Sequence, residues 1–132
     1  IAQIVPESDP NKFYKAARKI EKNNLSFYTI WWQTRAAEYA KAGQFEKGIV
    51  SISDLLNVLP DNSLALYTRS QIYARAKKYP EALRDLNALV IMDPDVSQWY
   101  KAKIDVLKKM GKNEEALKVQ KEHFAVEKYG SK

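Results

Sequence analysis

Few residues in this chain have side chains suited to catalysis, and they are scattered along it. His123 is the only histidine and there is no cysteine, so neither a disulfide nor a thiolate metal site can form. A lone histidine near the end of the chain reads as a capping or surface residue rather than a ligand. Glu114 and Glu115 open a lysine-rich segment where carboxylates favour a helix N-terminus. Asp93 and Asp95 flank Pro94 in a turn and read as caps. No glycine-rich phosphate loop occurs. A catalytic centre needs an acid, a base or a nucleophile converging on one point, and the sequence offers no such set, so no catalytic residue, metal ligand or cofactor is assigned. Cations remain, in the clusters Arg75, Lys77, Lys78 and Lys101, Lys103, Lys108, Lys109, Lys112. Their chemistry suits carboxylates or phosphates on a partner.

The elements that carry these residues are helical by composition. The 132 residues include only four Gly and five Pro, with 45% hydrophobic and 29% charged residues, as expected of one ordinary folded domain. The net charge of +6 is uneven: residues 97–132 hold nine Lys against five acidic residues, while residues 1–62 and 63–96 each carry a surplus of one. This bias can steer an acidic partner at long range, and it also describes a solvated lysine-rich helix. No apolar run reaches the length of a membrane span; the longest, Leu86 to Met92, is interrupted by Asn87. The chain begins at Ile1 rather than Met and reads as a processed or trimmed piece, with any signal or anchor outside it and no compartment assigned.

The middle of the sequence repeats with a period of 34 residues. Trp32 is answered by Leu66, Ala36 by Ser70, Tyr39 by Tyr73, Phe45 by Tyr79, Gly48 by Ala82, Ile52 by Leu86, Leu55 by Leu89 and Pro60 by Pro94. Large, small, aromatic and proline positions in this order and at this period resemble the tetratricopeptide repeat. The resemblance covers residues 29–128. It implies an all-α fold, a right-handed superhelix of three stacked helix-turn-helix units preceded by one N-terminal helix. The units read as 29–62, 63–96 and 97–132, after a lead-in and packing helix over 1–28. In that lead-in, Ile1 to Ser8 is extended, Asp9 and Pro10 start a helix carrying Phe13, Ala17 and Ile20, and Asn23-Asn24 ends it. Ser26 caps the next helix, which stops at Gly43. In the third unit Tyr100, Ile104, Leu107, Gly111 and Ala116 keep the pattern. Gln120, His123 and Lys128 depart from it, giving a half-polar last helix over 113–128 that serves as a cap. Arg35, Arg69 and Lys103 stand where the family often has Leu, and are expected to cover apolar surface with their stems while their charges reach water.

By the same resemblance, the first helix of each unit lines a concave groove. The groove positions fall on Ile30, Gln33, Ala37, Ala40 and Lys41; on Leu64, Tyr67, Gln71, Ala74 and Arg75; and on Gln98, Lys101, Asp105, Lys108 and Lys109. Gln33, Tyr67 and Gln71 can hydrogen-bond an extended peptide, the alanines leave room for it, and Lys41, Arg75 and Lys101 offer charge to carboxylates. The expected role is a non-catalytic scaffold for a protein or peptide segment of acidic character, with Gln33, Lys41, Leu64, Tyr67, Gln71, Arg75, Lys101, Asp105 and Lys108 as partner-binding residues. Tyr67 and Arg75 lead that set, because aromatic and guanidinium groups anchor interfaces most often. Each of these residues also fits a solvated helix face. The carboxylate clamp by which some family members hold chaperone C-termini would fall on Gln33, Ala37, Thr68, Gln98 and Ala102; none matches, so that clamp is not expected. Helical-repeat binding of RNA through the basic C-terminal unit is the alternative, weakened because Trp32, Tyr39, Tyr73, Tyr79 and Tyr100 occupy packing positions and cannot stack on bases. A third reading is self-association, a homo-oligomer formed through Trp31 and the apolar stripe of the first helix.

Overall fold

A computed structural model describes residues 22–129. Among these residues the chain is all-α, with six helices and no strand: α1 (Lys22–Lys41), α2 (Phe45–Val58), α3 (Ser63–Arg75), α4 (Tyr79–Met92), α5 (Ser97–Lys109) and α6 (Asn113–Tyr129). No helix among them is long and apolar enough to cross a membrane. The extended lead-in and the helix expected after Pro10 lie outside the described residues. Two compact units divide the chain, Ile1–Ala65 and Leu66–Lys132.

In the first unit α1 packs against α2. Trp32, Ala36 and Ala40 recur every four residues along one face of α1 and are buried, as are Ile49, Ile52, Leu55 and Leu56 of α2. Gly48 is also buried, at the phase that Ala82 occupies in the second unit. Ala40 therefore belongs to this packed face, not to an open groove where the sequence reading had placed it. α1 also begins earlier than expected. It runs unbroken through Asn23, Asn24 and Ser26, so neither the stop at the asparagines nor a cap at Ser26 is realised, and the unit boundary at Thr29 falls inside a helix. Residues 22–42 contain no Gly or Pro, and Asn or Ser in a helix costs only a few tenths of a kcal/mol relative to better formers, too little to break it.

In the second unit α5 packs against both α4 and α6. Tyr100, Leu107, Ala116 and Val119 form a buried cluster, with Leu83, Val90 and Ile104 packed on it. Leu86 and Leu89 are buried at the phase of Ile52 and Leu55. Burying such a side chain contributes about 1.5–3 kcal/mol. α3 is tied to α4 by Arg69, whose Nε and Nη2 donate to Asp85 Oδ2 and Oδ1 at 2.8 and 2.7 Å. Asp85 is buried and Arg69 is partly exposed, so the Arg69 charge is held by a buried carboxylate instead of simply being presented to water as its position suggested. The hydrogen bonds from Arg69 to Asp85 raise the guanidinium pKa further, outweighing the opposing effect of burial.

The turns that join the helices of each pair repeat with the same period. Gly43, Lys77 and Gly111 take positive φ values of 80°, 64° and 79°. Around each, two hydrogen bonds close the helix end: Gln44 N–H to Tyr39 C=O and Gly43 N–H to Ala40 C=O at 2.8 and 3.0 Å, Lys78 to Tyr73 and Lys77 to Ala74 at 2.8 and 3.0 Å, and Lys112 to Leu107 and Gly111 to Lys108 at 2.9 and 3.0 Å. This is the Schellman arrangement, which favours Gly at the left-handed residue. Lys77 holds it without that freedom, at a cost on the order of 1 kcal/mol. Asn62 Oδ1 accepts from Ala65 N–H at 2.9 Å and caps α3. The N-cap of α5 is Val96, which has no side-chain cap, so Asp95 does not fill the role its position suggested.

Candidate functional site

The second unit holds a cleft of about 100 Å³ lined by residues of α3, α4 and α5. Ser70, Leu86 and Val106 are its buried lining, Ala74 and Ala102 keep it open, and Gln71, Arg75, Asp105 and Lys109 bring polar and charged atoms to it. Three residues expected from the sequence, Gln71, Arg75 and Asp105, thus meet around one opening. They lie on two different helices, and the first-helix periodicity brings them together: Gln71 and Asp105 share one phase of the repeat, and Arg75 and Lys109 another. Lys109 Nζ lies 3.3 Å from Asp105 Oδ2, one helical turn away, with both side chains more than half exposed. Ser70 Oγ donates to Tyr67 C=O at 2.7 Å and is satisfied within its own helix.

Beside the cleft on the same two helices, Tyr67 lies against Trp99, with ring centroids 5.2 Å apart and planes tilted by 45°. Gln98 Nε2 donates to Tyr67 Oη at a long 3.4 Å. The Tyr67 ring is half-buried, and its hydroxyl meets one of the expected groove residues. Trp99 was not singled out from the sequence. Its signal was present, since Trp99 stands 68 residues after Trp31, two repeat periods on.

The remaining expected residues are distributed otherwise. Lys101 and Lys108 are exposed on α5 and do not line the cleft. In the first unit Gln33 Nε2 donates to Leu64 C=O at 3.4 Å, Leu64 exposes its side chain, and Lys41 is exposed in the last turn of α1. Trp31 packs edge-on against Trp32 at 6.4 Å, and the Arg35 guanidinium lies 5.7 Å from its ring centroid. The aromatic proposed for self-association is thus engaged within its own helix.

His123 is neither a cap nor a surface residue. Its ring stacks on Tyr100 with centroids 5.6 Å apart and planes 7° from parallel, and its Nε2 lies 3.1 Å from Ser97 Oγ and 3.2 Å from Glu127 Oε2. Hydroxyl and carboxylate meet the same ring nitrogen, whereas a nucleophile-base relay needs them on opposite nitrogens. The arrangement fastens α6 to the start of α5. The Tyr100 hydroxyl donates to Pro94 C=O at 2.9 Å, and burial, aided by the charges of Glu122 and Asp95, raises its pKa above the ordinary tyrosine value. No group of three or more potential metal ligands occurs among the described residues.

No family model matches the chain. It is 30% identical over 83 residues to sperm-associated antigen 1 of Homo sapiens, a match covering 63% of this chain and 8% of that protein. It is 37% identical over 87 residues to superkiller protein 3 of Schizosaccharomyces pombe (strain 972 / ATCC 24843), covering 64% of this chain and 6% of the other. The chain thus spans less than a tenth of the length of these curated relatives. Among solved structures, two MamA mutants share its fold. One has a TM-score of 0.70 at 13% identity, covering 89% of this chain and 82% of MamA; the other has 0.65 at 14% identity, covering 79% and 57%.

Proposed function

We propose that the chain, a helical-repeat protein of the tetratricopeptide kind, is an interaction scaffold that binds a protein or peptide segment of acidic character along the first helices of its repeats, without catalysis. The observation that carries this reading is the cleft where Gln71 and Arg75 of α3 face Asp105 and Lys109 of α5. Its lining combines small residues that leave room for a chain with amide and cationic groups that can hold backbone and carboxylates. The neighbouring Tyr67 ring, half-buried against the buried Trp99, supplies an aromatic group of the kind that anchors interfaces. Lys101 and Lys108 extend the same reading along α5, and Gln33, Lys41 and Leu64 carry it separately in the first unit.

Cations in the last turn of a helix also stabilise its C-terminus, and this alone would account for Arg75 and Lys109. Partner capture from the native source separates the two roles. The chain and a Tyr67→Ala, Arg75→Ala double variant serve as baits, with circular dichroism confirming equal helicity. Loss of specific partners from the variant is expected; recovery of the same proteins in equal amounts would show that these residues are only a helix face.

A further inference from the structure

The cleft, about 100 Å³, is large enough to admit one side chain. Its deeper lining, Leu86 and Val106 with Ala74 and Ala102, suits the methylenes of a short side chain. Two cations and one carboxylate line it, a surplus of one positive charge. A phosphate carries about −1.5 to −2 at neutral pH and would leave that surplus overmatched, whereas a carboxylate matches it.

Resting on the scaffold reading above, we infer that this cleft is the subsite for a single Glu or Asp side chain of the bound segment, with Arg75 and Lys109 holding its carboxylate and Asp105 setting its specificity. Asp105 acts as a built-in competitor. It sits 3.3 Å from Lys109, and an exposed pair of this kind is weak enough for an incoming carboxylate to exchange with it. The same negative charge repels a dianion and so selects against phosphorylated side chains. A neutral residue at 105 would therefore raise affinity and lower selectivity together.

The test is an NMR titration of the ¹⁵N-labelled chain with N-acetylglutamate amide, N-acetylglutamine amide and N-acetylphosphoserine amide. Glutamate is expected to shift amides around residues 70–75 and 102–109, and to bind about tenfold or more tightly than glutamine, as a charge-assisted hydrogen bond provides. Asp105→Asn is expected to tighten glutamate binding about two- to five-fold, the worth of an exposed pair, and to bring phosphoserine up to or beyond glutamate. Arg75→Gln and Lys109→Gln each weaken glutamate binding; all three sites are exposed, so folding is retained and circular dichroism verifies it. Equal shifts with glutamate and glutamine, phosphoserine binding tighter than glutamate to the unmodified chain, or diffuse shifts along α5 and α6 that ignore all three variants would each overturn the inference. Loss of the carboxylate subsite in the titration would leave the scaffold reading standing, whereas unchanged partner capture by the double variant would remove the reading on which the subsite rests.

Discussion

The two units answer the same 34-residue template with different chemistry. Arg35 in the first and Arg69 in the second occupy one phase, and each lies near a tyrosine four residues on: Arg35 is 4.9 Å from the Tyr39 ring centroid and Arg69 is 5.7 Å from that of Tyr73. At the phase that Asp85 occupies on the second helix, the first unit has Ser51, and both are buried. With Asp85 available, Arg69 makes a bidentate ion pair. Ser51 carries no charge, and Arg35 Nη2 donates to the Tyr39 hydroxyl at 3.0 Å. The turns differ in the same way, Gly43 in one unit and Lys77 in the other holding the same left-handed backbone. Repetition thus fixes backbone and packing volume, while polar partners are chosen unit by unit.

Giving the second unit the first unit's residue at the buried carboxylate should have the largest effect. Asp85→Ser leaves the half-buried Arg69 without its carboxylate and is expected to cost about 2–4 kcal/mol, toward the lower end of what breaking a buried pair costs because Arg69 remains partly exposed. Urea denaturation measures it. A loss below about 0.5 kcal/mol would mean that Arg69 turns to Tyr73 as Arg35 turns to Tyr39, and that the units do not differ energetically.

Exchanging the turn residues should have a smaller effect, with opposite signs in the two units. Lys77→Gly is expected to stabilise by about 0.5–1 kcal/mol, relief of the left-handed strain exceeding the added freedom of the unfolded chain, and Gly43→Lys to destabilise by about 1 kcal/mol. Equal signs in thermal denaturation would break the proposed equivalence of the two turns.

The smallest effect belongs to pH, and it separates the second unit from the first. Tyr100 has a raised pKa, so its contribution is complete below about pH 10, the ordinary tyrosine value, and is lost as pH rises through the higher folded value. Stability should therefore fall above about pH 10, and Tyr100→Phe should flatten that decline while giving up the hydroxyl bond to Pro94 C=O. An unchanged alkaline slope in the variant would assign the decline to other groups.

The last helix shows how the template ends. Ile49 and Leu56 of α2 are buried, and Leu83 and Val90 of α4 are half-buried, but the residues at the same phases of α6, Leu117 and Phe124, are 52% and 61% exposed. The half-polar character of this helix was legible in Gln120, His123 and Lys128. That His123 would nonetheless pack on Tyr100 was not, because the two stand 23 residues apart on different helices and no local spacing relates them.

By itself the sequence determined the all-α class and the packing positions, because side-chain volume at a fixed period is written directly into residue type: Trp32, Ala36, Ile52 and Leu55 in one unit, Leu66, Ser70, Leu86 and Leu89 in the next. It also placed Gln71, Arg75 and Asp105 on first-helix faces, since helical phase follows from position. Only the tertiary structure decided which polar atoms meet. Arg69 finds Asp85 sixteen residues away, Tyr67 finds Trp99, and Lys77 adopts a conformation that its own chemistry disfavours. The reason is physical: packing volume is a property of each residue, whereas a hydrogen bond or an ion pair is a property of two residues whose separation the chain alone does not fix.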